Sequence, residues 1–265
     1  MAEMVQVGTG ETARDIAVLR RRGGSPGLFW LGGFRSAMTG KKASAIDLLG
    51  ATHRLAVTRL DYSGHGQSGG DFLEGTISRW LEEALAVFAT TEGPQIVIGS
   101  SMGGWLALLL NRALRVAGSE RVKGLVLVAP AIDMTSALIE ARLTGAERQA
   151  LARTGVVHRP SRYGDGSYPY TRALIEDGRS HLLLGDRRGI VTGCPVAILQ
   201  GVRDPDVPHR HALALAQHLL TDPVRVTLVP DGDHRLSRPQ DLDLLGATIL
   251  RMVEATSARQ GELPL

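Results

Sequence analysis

One serine lies between two closely spaced glycines, a pattern that can make its hydroxyl group a nucleophile. Gly99, Ser101 and Gly103 follow a short apolar stretch and precede a run rich in leucine. This order predicts a buried strand, a very tight turn and then a helix, with Ser101 in the turn. Side chains at the two glycine positions would collide with the neighbouring strand and helix. A hydroxyl held there lies at the positive end of the helix dipole, where it can attack a carbonyl carbon.

A serine hydroxyl needs a base to take its proton, and a third group must hold that base in one tautomer. Asp204 follows a predicted strand over Pro195–Leu199, and His234 follows another over Val224–Val229. Because the carboxyl ends of parallel strands meet at one edge of a sheet, we expect both side chains beside Ser101. The chain order of serine, acid and histidine fits such a turn. We therefore assign Ser101 as nucleophile, His234 as base and Asp204 as acid.

Other acidic residues could fill the role of the acid. Asp206 lies two residues after Asp204 and is the alternative. Asp231 and Asp233 are too close to His234 along the chain to orient its ring comfortably.

Other histidines have less support as metal-binding or catalytic residues. His209 and His211 could chelate a metal, but no third ligand is apparent, so neither a metal site nor a cofactor is predicted. His65 lies in a glycine-dense loop that lacks the spacing of a phosphate-binding loop. We interpret that loop as a structural turn and His65 as polar surface.

Two backbone N–H groups are candidates for stabilising a developing oxyanion. The N–H of Met102 follows the serine directly and is one of them. The other should come from the loop Gly32–Phe34, which follows the apolar strand Leu28–Leu31. We assign it to Phe34, whose side chain should form a wall of the acyl pocket.

The elements around these residues alternate between strands and helices, which predicts an α/β fold with a mostly parallel central sheet flanked by helices. We treat residues 1–265 as one domain. The alternation breaks between Asp133 and Val191, where two helices and a loop rich in Tyr, Gly, Pro and Arg are predicted. An insertion above the carboxyl edge of the sheet is typical of a small cap over the site. The candidate substrate-binding residues are Trp105, Arg159, Arg162 and Tyr163, although the arginines could also be solvated surface.

Several segments extend the likeness beyond the serine motif, and together they resemble the α/β-hydrolase superfamily. Within it the sequence is similar to the group with palmitoyl-protein thioesterase and acyl-glucuronide esterase activities. The segments are Leu31–Phe34, Asp61–Gly64, Gly93–Gln95, Gly99–Trp105, Cys194–Val196, Asp204–Pro208 and Asp233–Arg235. The resemblance spans Gly27 to Val253 and implies the same nucleophile, acid and base. Gly32 departs from the pattern, since many members carry histidine there.

Composition excludes several other classes of protein. The chain is 43% hydrophobic and 22% charged with a net charge of +3, which suits a globular domain with a large core. Its basic runs are short, so nucleic-acid binding is not expected. The single cysteine, Cys194, suits a reducing compartment. Neither a signal peptide, a transit peptide nor a membrane span is apparent, so a cytoplasmic location is expected.

These observations predict a metal-free serine hydrolase that cleaves small-molecule carboxylic esters or thioesters through an acyl-enzyme intermediate. A serine peptidase or amidase on the same fold is the first alternative, because the three residues alone do not choose the leaving group. A non-catalytic ligand receptor is the second, although such a receptor would normally lack one of the three. The oligomeric state is not predicted.

Overall fold

A computed structural model describes residues 2–161, 166–185, 189–219 and 221–261, and the side chains of 257–261 are not described. The described strands belong to one large sheet and one separate hairpin. They are β1 (Glu3–Val7), β2 (Arg14–Arg21), β3 (Gly24–Leu31), β4 (Leu55–Leu60), β5 (Gln95–Ser100), β6 (Val122–Val128), β7 (Val156–Pro160), β8 (Ser167–Thr171), β9 (Val196–Gly201) and β10 (Val224–Val229).

The α-helices connect these strands and cover the sheet. They are α1 (Lys41–His53), α2 (Ile77–Ala89), α3 (Met102–Val116), α4 (Gly145–Thr154), α5 (Arg172–Gly178), α6 (His209–His218) and α7 (Pro239–Gly261). None of the described helices combines the length and hydrophobicity needed to cross a bilayer.

The large sheet runs in the order β1-β2-β4-β3-β5-β6-β9-β10. Its first two strands are antiparallel, and the six from β4 to β10 are mutually parallel. Helices α2, α3 and α6 contribute to the core on one face, whereas α1 and α7 cover the other. The predicted α/β fold, with a mainly parallel sheet flanked by helices, is confirmed.

The central strands are apolar along their whole length because helices cover both of their faces. All six residues of β5 are buried, and both neighbouring strands are nearly as enclosed. Each parallel strand ends at the same edge of the sheet. The loops after β3, β5, β9 and β10 therefore lie together.

The segment 133–191 leaves this edge and returns to it. It contains a π-helix (Met134–Ile139), the helices α4 and α5, and the antiparallel hairpin of β7 and β8. Asp133, at the start of the segment, binds residues near its end. The Asp133 carboxylate accepts hydrogen bonds from the N–H groups of Leu183 at 2.8 Å and Leu184 at 2.9 Å. Its description as a cap stays a prediction.

The closest backbone approach between β3 and α3 generates a stability prediction. A Cβ on Gly103 would lie 2.1 Å from the carbonyl oxygen of Leu31, whereas one on Gly145 would meet nothing within 4 Å. Gly103→Ala should lower the free energy of unfolding by about 2–3 kcal/mol, because backbone must shift to admit the methyl group. Gly145→Ala, the matched control, should change it by less than about 0.5 kcal/mol. Urea denaturation measures both, and a Gly103→Ala chain as stable as the control would contradict the tight contact.

Candidate active site

Ser101 lies in the turn between β5 and α3, in a backbone conformation that few residues adopt. Its φ is 55° and its ψ is −120°, which costs of order 1–3 kcal/mol in a residue with a side chain. The glycines on either side permit the turn. A Cβ on Gly99 would lie 2.3 Å from the carbonyl oxygen of Gly103. The turn therefore presents the Ser101 hydroxyl at the carboxyl edge of the sheet.

The structure brings Ser101, His234 and Asp204 together from three different loops. His234 Nε2 lies 3.0 Å from Ser101 Oγ, and His234 Nδ1 lies 2.7 Å from Asp204 Oδ2. The acid therefore orients the ring through one nitrogen and leaves the other facing the serine. This geometry suits removal of the hydroxyl proton by the imidazole.

Four N–H groups fix the carboxylate of Asp204, whose side chain is fully buried. Oδ1 accepts hydrogen bonds from the N–H groups of Asp206 at 2.9 Å and Val207 at 2.8 Å. Oδ2 accepts one from Gln200 Nε2 at 3.1 Å besides the one from His234. These bonds set the orientation of the carboxylate.

Asp206, the alternative acid, also lies close by. In the described part of the chain, Asp204, Asp206 and His234 form a group of possible metal ligands whose atoms lie within 4.8 Å of one another. Both oxygens of Asp204 already accept N–H groups, however, which suits a hydrogen-bonded acid better than a cation ligand. His211 points elsewhere, with Nε2 2.7 Å from the carbonyl oxygen of Ile132.

The two expected oxyanion donors flank the serine. Met102 begins α3, so its N–H has no partner within the helix. The loop that carries Phe34 lies against the serine, since a Cβ on Gly33 would be 3.2 Å from Ser101 Cβ. Within the described ranges, neither the Met102 nor the Phe34 N–H donates to another protein group. The assignment of both groups as oxyanion donors stays a prediction.

His65 is a part of this site that the sequence interpretation missed, because it is 3% exposed rather than polar surface. Its Nδ1 lies 3.1 Å from the carbonyl oxygen of Ser63, and its Nε2 accepts the N–H of Arg35 at 3.1 Å. The carbonyl requires a proton on Nδ1, and the N–H requires a lone pair on Nε2. Burial lowers the pKa of His65 to about 4. The neutral ring thus holds the loop next to Phe34.

Tyrosines of the hairpin meet the same loop from above. The Phe34 ring stacks on Tyr170 with centroids 5.5 Å apart and an angle of 26°. Arg35 Nη1 donates to the carbonyl of Ser167 at 2.5 Å. Tyr168 and Tyr170 both line a cavity of about 860 Å³ that opens onto Ser101 and His234. The glycine- and tyrosine-rich loop of the sequence is therefore partly β-structure, and it forms a wall of this cavity.

The four candidate substrate-binding residues differ in where they lie relative to the cavity. Arg159 lines the cavity, but its guanidinium group binds the carboxylate of Glu147 through contacts of 2.8 and 3.0 Å. This pairing lowers the pKa of Glu147 to about 2. The structure does not bring Trp105 to the cavity: it is fully buried, and its indole N–H donates to the carbonyl of His181 at 3.1 Å. Arg162 and Tyr163 lie outside the described residues.

A second serine contacts a histidine elsewhere. Ser78 Oγ lies 2.7 Å from His181 Nε2 and donates to Asp177 Oδ1 at 2.6 Å. Here the carboxylate binds the serine itself, and it also accepts the Ser78 N–H at the start of α2. This contact joins α2 to the segment 133–191. Ser78 can therefore serve as a control for Ser101, because it also contacts a histidine.

Comparison with known proteins gives the family. Residues 23–243 match the model of the alpha/beta hydrolase family. The mitochondrial palmitoyl-protein thioesterase ABHD10 of Mus musculus is 34% identical over 247 residues, which are 92% of this chain and 80% of that protein.

Solved structures agree. A candidate hydrolase from Agrobacterium vitis S4 has 50% identity and a TM-score of 0.91, with 96% of this chain and 98% of that chain covered. Alpha/beta hydrolase domain-containing protein 10 from mouse has 32% identity and a TM-score of 0.84, with 96% and 99% covered.

The buried His65 predicts part of the pH dependence of stability. Its pKa is about 4 in the folded chain against 6.5 for the free side chain. As the pH falls from about 6.5 to about 4, His65 becomes protonated in the unfolded chain while it stays neutral in the folded chain. Stability should therefore fall by up to about 1.4 kcal/mol per pH unit, on the order of 3 kcal/mol in total.

His65→Gln should remove this contribution, whereas His53→Gln, at an exposed histidine, should keep it. Urea denaturation across the window measures the slope of each. Equal slopes for wild type and His65→Gln would contradict the buried neutral ring.

Proposed function

The chain belongs to the alpha/beta hydrolase family, and we propose that it is a serine hydrolase that cleaves carboxylic esters or thioesters. The observation that carries the proposal is the 3.0 Å contact of Ser101 with a histidine whose other nitrogen binds Asp204. The relatives named as palmitoyl-protein thioesterases support an acyl thioester or ester as substrate.

The reaction has two halves. In the first, Ser101 Oγ forms a bond to the acyl carbon while its proton passes to His234 Nε2. The N–H groups of Phe34 and Met102 stabilise the oxyanion. Collapse of this intermediate breaks the bond to the leaving oxygen or sulfur, which takes the proton from His234. In the second half, water adds to the acyl carbon with the help of His234, and the acid and free Ser101 are released.

Esters and thioesters suit this site better than amides do. Alkoxide and thiolate leaving groups depart with little help, whereas an amine must be protonated as it leaves. A peptidase also needs groups that hold the peptide. The two acidic residues that line the cavity, Glu147 and Asp206, both have partners in the protein. The peptidase alternative therefore has less support. A receptor without catalysis would not require the strained Ser101 backbone.

The cellular location stays open to test. The mammalian relatives carry a mitochondrial designation in their names, so the cytoplasmic location inferred from the sequence remains a prediction. Fractionation of the source cells with an antibody against the chain would decide it.

The proposal predicts covalent labelling at one serine. A fluorophosphonate probe should label the wild type, and Ser101→Ala should abolish labelling. The same variant should lower kcat on p-nitrophenyl butyrate by about 10⁴ to 10⁶-fold. Ser78→Ala is the matched control, because it removes another serine that contacts a histidine, and it should keep both the labelling and the kcat. Labelling that survives in Ser101→Ala and disappears in Ser78→Ala would overturn the proposal.

The acid can be tested in the same assay. Asp204→Asn should lower kcat by roughly 10³ to 10⁴-fold, because an amide in place of the carboxylate mis-sets the tautomer of His234. Asp206→Asn should cost far less, since His234 Nδ1 lies 2.7 Å from Asp204 Oδ2 and the carboxylate of Asp204 is the one that sets the tautomer. Measuring kcat and the melting temperature of both variants separates catalysis from folding. A larger loss for Asp206→Asn would reassign the acid.

A further inference from the structure

The loop that carries Phe34 makes a tight turn over Gly33–Ser36. The N–H and the Oγ of Ser36 both donate to the carbonyl oxygen of Gly33, at 3.1 and 2.7 Å. Arg35, the second central residue of the turn, has a φ of 57°. A positive φ at that position is typical of a type II turn, where glycine is the usual residue. The turn is therefore strained at Arg35 and needs other contacts to keep its shape.

The peptide unit between Phe34 and Arg35 is the part of this turn that can change. Turning it over by about 180° converts a type II turn into a type I turn and relieves the positive φ. In the present orientation the Arg35 N–H donates to His65 Nε2 at 3.1 Å. In the other orientation the carbonyl oxygen of Phe34 would face the same nitrogen, and the two lone pairs would repel each other. His65 thus favours one orientation and disfavours the other.

The ring of His65 is itself anchored to buried groups. The carbonyl oxygen of Ser63 accepts hydrogen bonds from His65 Nδ1 at 3.1 Å and from the indole N–H of Trp80 at 3.3 Å. The N–H of Ser63 donates to Glu83 Oε2 at 2.9 Å, and the buried Glu83 carboxylate pairs with Arg14. Because this anchor keeps the proton on Nδ1, Nε2 presents its lone pair to the turn.

The turn also borders two cavities, which limits how much packing can hold it. Residues 35–37 line both the cavity beside Ser101 and a second cavity of about 340 Å³. His65 and Phe72 belong to the lining of the second cavity. Open space on both sides leaves the backbone of residues 35–37 without a continuous packed layer. The hydrogen bond to His65 therefore has a large share in fixing this backbone.

We propose that His65 is a positioning residue for catalysis. By accepting the N–H of Arg35, it keeps the turn in the conformation that directs the Phe34 N–H toward the oxygen of an acyl group bound beside Ser101. In this role His65 acts through Arg35 and Phe34 rather than through contact with the substrate. This inference rests on the proposed function and deepens it, because it assigns the residue that keeps the proposed oxyanion hole formed.

Three substitutions at His65 separate its acceptor from its donor. His65→Asn keeps an N–H for the carbonyl of Ser63 but is too short to reach Arg35, and His65→Leu has neither group. Both should lower kcat on p-nitrophenyl butyrate by about 10- to 50-fold, because a misdirected oxyanion donor costs less than a deleted one. KM should change by less than about twofold, since the lost interaction belongs to the transition state. His65→Gln, whose carbonyl oxygen can reach the Arg35 N–H, should stay within about threefold of the wild type.

A transition-state analogue reports on the oxyanion directly. When butyl trifluoromethyl ketone adds to the protein, its carbonyl carbon bonds to Ser101 Oγ and the hydroxyl proton passes to His234 Nε2. The electron pair of the carbonyl bond moves onto the oxygen, which becomes the oxyanion. The inhibition constant of this ketone should rise in His65→Asn by the same factor by which kcat/KM falls.

Val87→Ala is the matched control for stability. It removes buried apolar contacts about two turns along α2 from Trp80, so it should lower the melting temperature but leave kcat and the inhibition constant unchanged. The melting temperature of each His65 variant shows that it is folded. If His65→Leu does not fold, His65→Asn decides the test.

Several outcomes would overturn the inference. One is a wild-type kcat in His65→Asn. Others are a fall in kcat without a rise in the inhibition constant, or a His65→Gln chain as slow as His65→Asn, because His65 would then only support the fold. In each of these cases, hydrolysis that still requires Ser101 leaves the proposed function standing. Hydrolysis that survives in Ser101→Ala would remove both.

Discussion

The close approach of α3 to the end of β3 is the constraint on which the site depends. Gly103 lies so near the carbonyl oxygen of Leu31 that no side chain fits between them. The same contact fixes Ser101, two residues earlier, relative to the loop of Gly33 and Phe34. One backbone-to-backbone contact therefore positions Ser101, the proposed nucleophile, relative to the loop that carries one of the proposed oxyanion donors. The strain at Ser101 persists because the rest of the sheet holds both sides of that contact in place.

The sequence predicted the parts of the site that follow from the topology of the sheet. Ser101, Asp204 and His234 come together because each follows a parallel strand, and the ends of such strands share one edge. Alternating elements and apolar runs were sufficient to predict the order of most strands and helices. These features depend on local pattern and on chain order, both of which a sequence displays directly.

Features that depend on tertiary partners could not be predicted in this way. His65 looked like a loop histidine, yet Tyr62, Phe72 and Trp80 surround its ring. Trp105 was assigned to the pocket, but α3 turns it toward the protein interior. The charge of Arg159 is cancelled by Glu147, twelve residues earlier. The π-helix over 134–139 also replaced an expected regular helix. In each case a neighbour distant in sequence or a local packing choice decides the outcome.

Asp133 holds the long connection between β6 and β9 together. Its carboxylate joins the start of the segment 133–191 to Leu183 and Leu184 near the end. The long connection between β6 and β9 is therefore tied together near its two ends. The entropic cost of closing a loop grows only slowly with its length, and the hydrogen bonds of Asp133 help to offset that cost. We therefore expect that the segment can be exchanged as a module while β6 and β9 keep their register.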